Sequence, residues 1–193
     1  MLRVTGGAHK GRRLAPLPRG SPARPVPARV REAVASSLAP KIPGARILDL
    51  FAGSGIVTFE LLSRGAASSV LVERDAALVA RLHREVRRLG LAECATVVRA
   101  GVEDFLARPT GRSFDLVFVD PPYRDAACLM QVCTRLATAR ILARGAVVVS
   151  HRPVVRGRAD PLELPSGWEV VRSRRYGQAL FEFFTMPHEP TST

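Results

Sequence analysis

Lysine is nearly missing from this chain: of its 29 basic residues, only Lys10 and Lys41 are lysines. Acids are missing from the first 44 residues, where Glu32 is the single exception. The three cysteines, Cys94, Cys128 and Cys133, cannot all pair and show no C-x-x-C spacing. That excludes a disulfide scaffold and a zinc ribbon and fits a reducing cytoplasm. No run of ~18 apolar residues exists to cross a membrane. The N-terminus has neither an apolar h-region nor a small-residue cleavage site, so we expect a cytoplasmic protein rather than a secreted one. His9, His83, His151 and His188 are scattered without metal-ligand spacing. No metal site and no catalytic histidine are expected.

What is present is a chain of 193 residues, 47% hydrophobic, long enough for one domain with a real core. Its formal charge of +12 is unevenly placed. Residues 1–44 hold nine basic groups against Glu32, a balance of +8. Arginine-biased composition accounts for the Arg-to-Lys ratio but not for the missing acids. A nucleic-acid partner fits this arm better, because guanidinium forks match phosphate oxygens.

The arm also holds seven prolines and Gly6-Gly7. It reads as a small β-hairpin, an extended stretch over Pro16–Pro27 and a helix near Ala28–Leu38. From Ala45 the pattern changes to alternating strands and helices. Arg46–Leu50, Ser69–Glu73, Ala95–Arg99, Phe114–Asp120 and Gly145–Ser150 read as buried strands. Ile56–Arg64, Ala76–Leu89 and Ala126–Leu142 read as the intervening helices. In Ala76–Leu89 the residues Leu78, Val79, Leu82, Val86 and Leu89 form the apolar face, with Arg81, Arg84, Arg87 and Arg88 elsewhere. Asp75 is the expected N-cap. Trp168–Ser173 and Gln178–Thr185 read as a closing hairpin, and 187–193 as a disordered tail. The fold class is therefore α/β, a doubly wound sheet with antiparallel strands at one edge. We expect residues 1–44 to be a docking extension and 45–186 the ligand-binding domain.

Three strand ends carry candidate chemistry. The first is Asp49-Leu50-Phe51-Ala52-Gly53-Ser54-Gly55, an acid and a Gly-x-Gly turn at the edge where such sheets bind ligands. Thr58 stands where a dinucleotide fingerprint needs its third small residue, and no Gly-Lys-Ser/Thr follows, so neither a dinucleotide nor a P-loop is expected. Asp49 suits a ligand with a cationic amino group, held directly or through water. The second is Glu73, placed like the acid that holds a ribose in Rossmann-type folds. The third is Asp120-Pro121-Pro122-Tyr123. Prolines offer backbone acceptors and no donors, so this ledge suits a flat substrate with an exocyclic amine. Asp120 and the Pro121 carbonyl can accept its two hydrogens, while Tyr123 stacks on the ring.

These pieces resemble the class I S-adenosylmethionine-dependent methyltransferases with an Asp-Pro-Pro-Tyr motif. The closer resemblance is to the RsmD family, bacterial enzymes that methylate the N2 amine of a guanine in 16S ribosomal RNA. It rests on Arg3–Gly7, Lys10–Leu14, Arg24-Pro25, Arg29–Glu32, Asp49–Gly55, Leu62–Ala66 and Asp120–Tyr123. The resemblance implies a Rossmann-like methyltransferase sheet preceded by a basic β-hairpin and helix. It implies S-adenosyl-L-methionine as cofactor, bound by Asp49, Phe51, Ala52, Gly53, Ser54, Gly55, Glu73 and Val102. Catalysis would rest on Asp120, Pro121, Pro122 and Tyr123. Arg3, Lys10, Arg12, Arg13, Arg24, Arg29 and Arg31 would meet RNA. The partner would be small-subunit ribosomal RNA or an assembled 30S particle, met by a monomer. Two departures from the family pattern stand out. Gly101 occupies a position where relatives often carry an acid for the adenine, leaving Glu103, Asp104 or backbone as substitutes. Val26-Pro27-Ala28 replaces the usual Thr and Asp.

The same ledge would serve a methyltransferase of adenine N6 or cytosine N4, in DNA or another RNA. A non-catalytic RNA-binding module is the third reading.

Overall fold

The computed structural model describes residues 2–21, 23, 25–108, 111–121, 126–154, 159 and 162–186. Its centre is a seven-stranded sheet in the order β3-β2-β1-β4-β5-β7-β6. Here β1 is Arg46–Asp49, β2 Ser68–Glu73, β3 Ala95–Arg99, β4 Phe114–Val119, β5 Leu142–Pro153, β6 Glu169–Tyr176 and β7 Ala179–Thr185. The first five run parallel, β7 is antiparallel to β5, and β6 closes the hairpin at the edge. The helices are α1 Ala28–Ser37, α2 Ile56–Ser63, α3 Ala76–Arg88, α4 Val102–Leu106 and α5 Ala126–Ala139. The doubly wound α/β reading is met, and the order reverses beside β1, where open sheets form their ligand crevice.

Two elements differ from expectation. The five-residue helix α4 is too short to leave a periodic signal, and it starts at Val102 behind its cap Gly101. Strand β5 starts at Leu142, with a register shift against β4 between Phe114 and Leu116. The sequence pattern runs the preceding helix to Leu142 and begins the strand at Gly145, whereas α5 ends at Ala139 and Leu142–Arg144 join that irregular pairing. The tail at 187–193 lies outside the described residues.

Period-two alternation sorts the strands into two faces. Leu48, Val70, Val117 and Val148 pack with α5 residues Leu129, Val132 and Leu136 and with the buried Trp168. Ile47, Leu71, Leu116, Phe118, Val147, Val149, Phe181 and Phe183 pack on the other side. That second cluster also contains Val4, Leu14, Val26, Val30 and Val34. The boundary near residue 44 is therefore one of charge, and the arm shares its core with the sheet.

How the arm is held follows from α2 and α3. Every residue of α2 except Val57 is buried, which an isolated surface helix could not sustain. The arm supplies the missing cover. Its hairpin is minimal, one antiparallel bridge between Arg3 and Arg13 flanked by Val4 N–H to Arg12 O at 3.0 Å and Leu14 N–H to Leu2 O at 2.9 Å. Glu60, 1% exposed, accepts from the Thr5 backbone and hydroxyl, both at 2.8 Å, and from Arg64. Ser63 accepts from His9 N–H at 2.8 Å and donates to Gly6 O at 2.5 Å. Gly7 sits at φ +74° with its Cα so close to α2 that an added Cβ would lie 1.8 Å from Ser63 O. Only glycine fits there.

Arg81 was expected on the outer, charged side of α3. It is 1% exposed instead, because the arm crosses that side. Its guanidinium donates to Ala15 O at 2.7 Å, to Pro16 O at 3.2 Å and to Ser54 O at 2.9 Å. Burial lowers its pKa, and the neighbouring Glu85 opposes that shift. Glu85 is equally buried and accepts from Ala15 N–H at 3.0 Å and from Arg88. Asp75 caps α3 as expected, accepting from Leu78 N–H at 2.8 Å.

Arg81→Ala strips hydrogen bonds from three carbonyls and opens a void, so it should cost about 3 kcal/mol, read as a lowered denaturation midpoint. Removing residues 1–44 uncovers a whole face of the core. The remaining chain should lose its cooperative unfolding transition in calorimetry, and an intact transition would refute the shared core.

Candidate functional site

Alternation along the strands decides which groups meet at the carboxyl edge. Asp49 follows Ile47 on one face, Glu73 follows Leu71, and Asp120 follows Leu116 and Phe118. Strand registry brings these positions side by side, since Asp49 pairs with Leu71 on β2 and with Phe118 on β4. Three carboxylates thus stand on neighbouring strands and on one face of the sheet, at its ligand-binding edge.

Asp49 is 6% exposed and accepts from the Thr58 hydroxyl at 2.7 Å. Burial pushes its pKa up to about 7; the Thr58 hydrogen bond opposes this, while the charges of Asp120 and Glu73 add to it. A buried carboxyl with two further carboxylates nearby suits a cationic group, whose charge would bring that pKa down. Glu73 is half-buried. Its two oxygens accept from Gly53 N–H at 3.0 Å and from Asp75 N–H at 2.9 Å. A carboxylate has about four acceptor positions, so two remain open to hydroxyl donors.

The turn between β1 and α2 divides into open and occupied parts. Phe51 and Gly53 are partly exposed, whereas Ala52, Ser54 and Gly55 are buried. Ala52 N–H extends the β1–β2 pairing to Val72 O at 3.0 Å. Ser54 gives its carbonyl to Arg81, and its hydroxyl faces Ile56 N–H at 3.4 Å. Gly55 was expected to let a ligand approach. The close approach there is from the core: an added Cβ would lie 2.6 Å from Leu82 Cδ2 and 2.8 Å from Phe59 Cε2. Its glycine is demanded by packing and by φ +69°.

Val102 opens α4 beyond β3 and is half-buried. Beside it, Asp104 reaches back toward Gly101, with Oδ2 3.3 Å from where a Cβ would stand. Glu103 points away, its carboxylate 3.5 Å from Arg135 on α5.

At the end of β4, Asp120 is about one-third exposed and Pro121 is buried. Pro122 and Tyr123 lie outside the described residues. Sequence reasoning missed the neighbour of Asp120: His151, buried in β5, with Nδ1 3.1 Å from Asp120 Oδ1. The signal was present in the Val147–Val149–His151 alternation, which puts the ring on the same face as Phe118 and Asp120.

Of the arm residues proposed to meet RNA, Arg3, Lys10, Arg12, Arg13 and Arg29 have exposed side chains. Arg24 lies outside the described residues. Arg31 is a correction: it is 4% exposed and donates to Val26 O at 2.6 Å and to Arg3 O at 2.7 Å. Its position on the inner face of α1, beside Val30 and Val34, turns the guanidinium into a clamp on the arm. No group of three or more potential metal-ligating side chains occurs among the described residues. No helix among them is long and apolar enough to cross a membrane.

Comparison with known proteins agrees with this geometry. Residues 2–185 match the family described as Conserved hypothetical protein 95. Ribosomal RNA small subunit methyltransferase D of Escherichia coli is 35% identical over 183 residues, covering 95% of this chain and 89% of that one. The solved structure of the Escherichia coli protein yhhF superposes with a TM-score of 0.85 at 34% identity, covering 97% and 99% of the two chains. An RNA methyltransferase of Salinibacter ruber, solved with S-adenosyl-L-homocysteine, shares the fold at a TM-score of 0.66 and 18% identity, over 88% and 98% of the chains. With the match running through arm and sheet alike, the chain belongs to this family, the RsmD methyltransferases.

Proposed function

We propose that the protein is an S-adenosylmethionine-dependent methyltransferase acting on the N2 amine of a guanine in small-subunit ribosomal RNA. The observation that carries this reading is the convergence of Asp49, Glu73 and Asp120 on one face at the sheet's carboxyl edge. The donor set fits the cofactor. A cationic ammonium suits the acid-rich pocket around Asp49, and ribose hydroxyls suit the open acceptor positions of Glu73. Asp104, beside Gly101, is the acid available to an adenine amine. Phe51, Gly53 and Val102 supply the remaining walls, with Ala52, Ser54 and Gly55 shaping the turn from behind.

When bound, the cofactor supplies an electrophilic methyl on a sulfonium, whose departure leaves a neutral thioether. The protein's part is then to present the amine. Asp120 accepts one N–H and the Pro121 carbonyl the other, which turns the nitrogen lone pair out of the ring's conjugation. As the nitrogen gains the methyl it sheds a proton, and Asp120 is the acceptor already in contact with that hydrogen. The motif assigns Pro122 and Tyr123 to the same task, Tyr123 to stacking on a base that has left its helix. Positioning and amine polarisation account for the rate.

Arg3, Lys10, Arg12, Arg13, Arg24 and Arg29 hold phosphates, and the acid-poor arm is the docking element. The substrate is small-subunit ribosomal RNA, free or in the assembled 30S particle, met by a monomer. Transfer of tritium from labelled cofactor to 30S particles, free 16S RNA and duplex DNA tests this. Incorporation into DNA alone would overturn the choice of substrate in favour of a DNA amino-methyltransferase.

Asp120→Ala should abolish transfer with cofactor affinity nearly unchanged, measured by calorimetry beside the tritium assay. Replacing Lys10, Arg12 and Arg13 together by alanine should weaken RNA binding at least tenfold, flatten its salt dependence and spare cofactor affinity. The raised pKa of Asp49 gives a pH signature. Below about 7 the carboxyl is largely neutral and attracts a cation poorly; above it the charge is present. Cofactor affinity should therefore rise between pH 6 and 8, and Asp49→Asn should remove that rise. Stability has the opposite sign, because a raised carboxylate pKa disfavours the folded state as pH climbs from about 4 to 7.

A further inference from the structure

We infer that His151 is a positioning residue for Asp120, fixing the carboxylate so that one oxygen alone meets the substrate amine. The inference rests on the reading of Asp120 as the amine acceptor. Strands β4 and β5 pair in parallel with Val119 opposite Ser150, so the next step along each strand sets Asp120 beside His151. Both side chains fall on the face occupied by Phe118 and Val149. The separation of 3.1 Å between Nδ1 and Oδ1 is a hydrogen bond, and a carboxylate can only accept, so Nδ1 carries the proton.

The imidazole cannot swing away. On its other side β7 sets Phe181 opposite His151, and the two rings stack with centroids 4.6 Å apart and planes 7° from parallel. The ring is only 5% exposed. Asp120, by contrast, is about one-third exposed and ends its strand, where a lone carboxylate would sample several rotamers. Tying Oδ1 to a ring that is itself immobilised removes that freedom. Oδ2 is then the oxygen left to accept from the amine. A chain of β7 packing, imidazole and carboxylate thus transmits the rigidity of the sheet to the atom that meets the amine.

Two variants separate this role from simple core packing. His151→Phe keeps an aromatic ring against Phe181 and loses the donor. It should lower kcat between about tenfold and a hundredfold, with KM for cofactor and thermal midpoint little changed. His151→Asn keeps an N–H at about the reach of Nδ1 and loses the stack. It should recover most of kcat while lowering the thermal midpoint. Full kcat in His151→Phe, or equal loss of kcat in His151→Asn, would overturn the positioning role. An active Asp120→Ala enzyme would instead overturn the reading of Asp120 on which it rests.

Discussion

The Arg81 guanidinium joins three backbone carbonyls that belong to different parts of the molecule: Ala15 and Pro16 in the arm, and Ser54 in the turn after β1. A buried cation is tolerated only when its donors are met, and here carbonyl oxygens and the nearby Glu85 meet that demand. Among its described residues the arm has little regular structure of its own, one bridge, helix α1 and a single 3-10 turn at Ala39–Lys41, so it cannot settle its own path. Its path is set by side chains of the sheet's covering helices, Glu60 and Ser63 on α2 and Arg81 and Glu85 on α3. The same guanidinium fixes the turn that lines the ligand-binding edge. The arm and the turn after β1 are therefore one mechanical unit.

Within that unit the chemistry follows from strand alternation. A residue two beyond an inward-facing apolar position still faces the same side, even where the strand has ended. Ile47, Leu71 and Phe118 thus place Asp49, Glu73 and Asp120 together, and Val149 places His151 among them. Burial raises the Asp49 pKa to about 7, with the charges of Asp120 and Glu73 adding to it, and a cation placed beside the carboxyl would bring it down. Ordered in this way, the edge sets three carboxylates and one imidazole on a single face of the sheet.

Much of this was legible in the sequence, for physical reasons that differ by element. The buried strands and α3 announced themselves through dense apolar runs and a clean 3.6 period, and Asp75 through its place before that period. Asp49, Glu73 and Asp120 were legible because each closes a strand. The hidden part lies wherever one segment covers another. Arg81 and Arg31 look like solvent-facing charges until the arm is laid across them, and no local pattern reports that cover. Gly55 looks like a ligand-facing glycine until Leu82 and Phe59 are seen against it. His151 carried the right alternation, but its partner was thirty-one residues away in sequence and only parallel registry brings the two together.

Among the described residues β6 is the last strand of the sheet, and Val170 and Val171 on it are exposed. Such a margin is a template for pairing with another copy of itself. Arg172, Arg174 and Arg175 also lie exposed along it, so two margins drawn together would bring like charges into register. Edge-to-edge pairing there would have to overcome that repulsion, so these arginines sit where gatekeeper charges oppose fibrous growth.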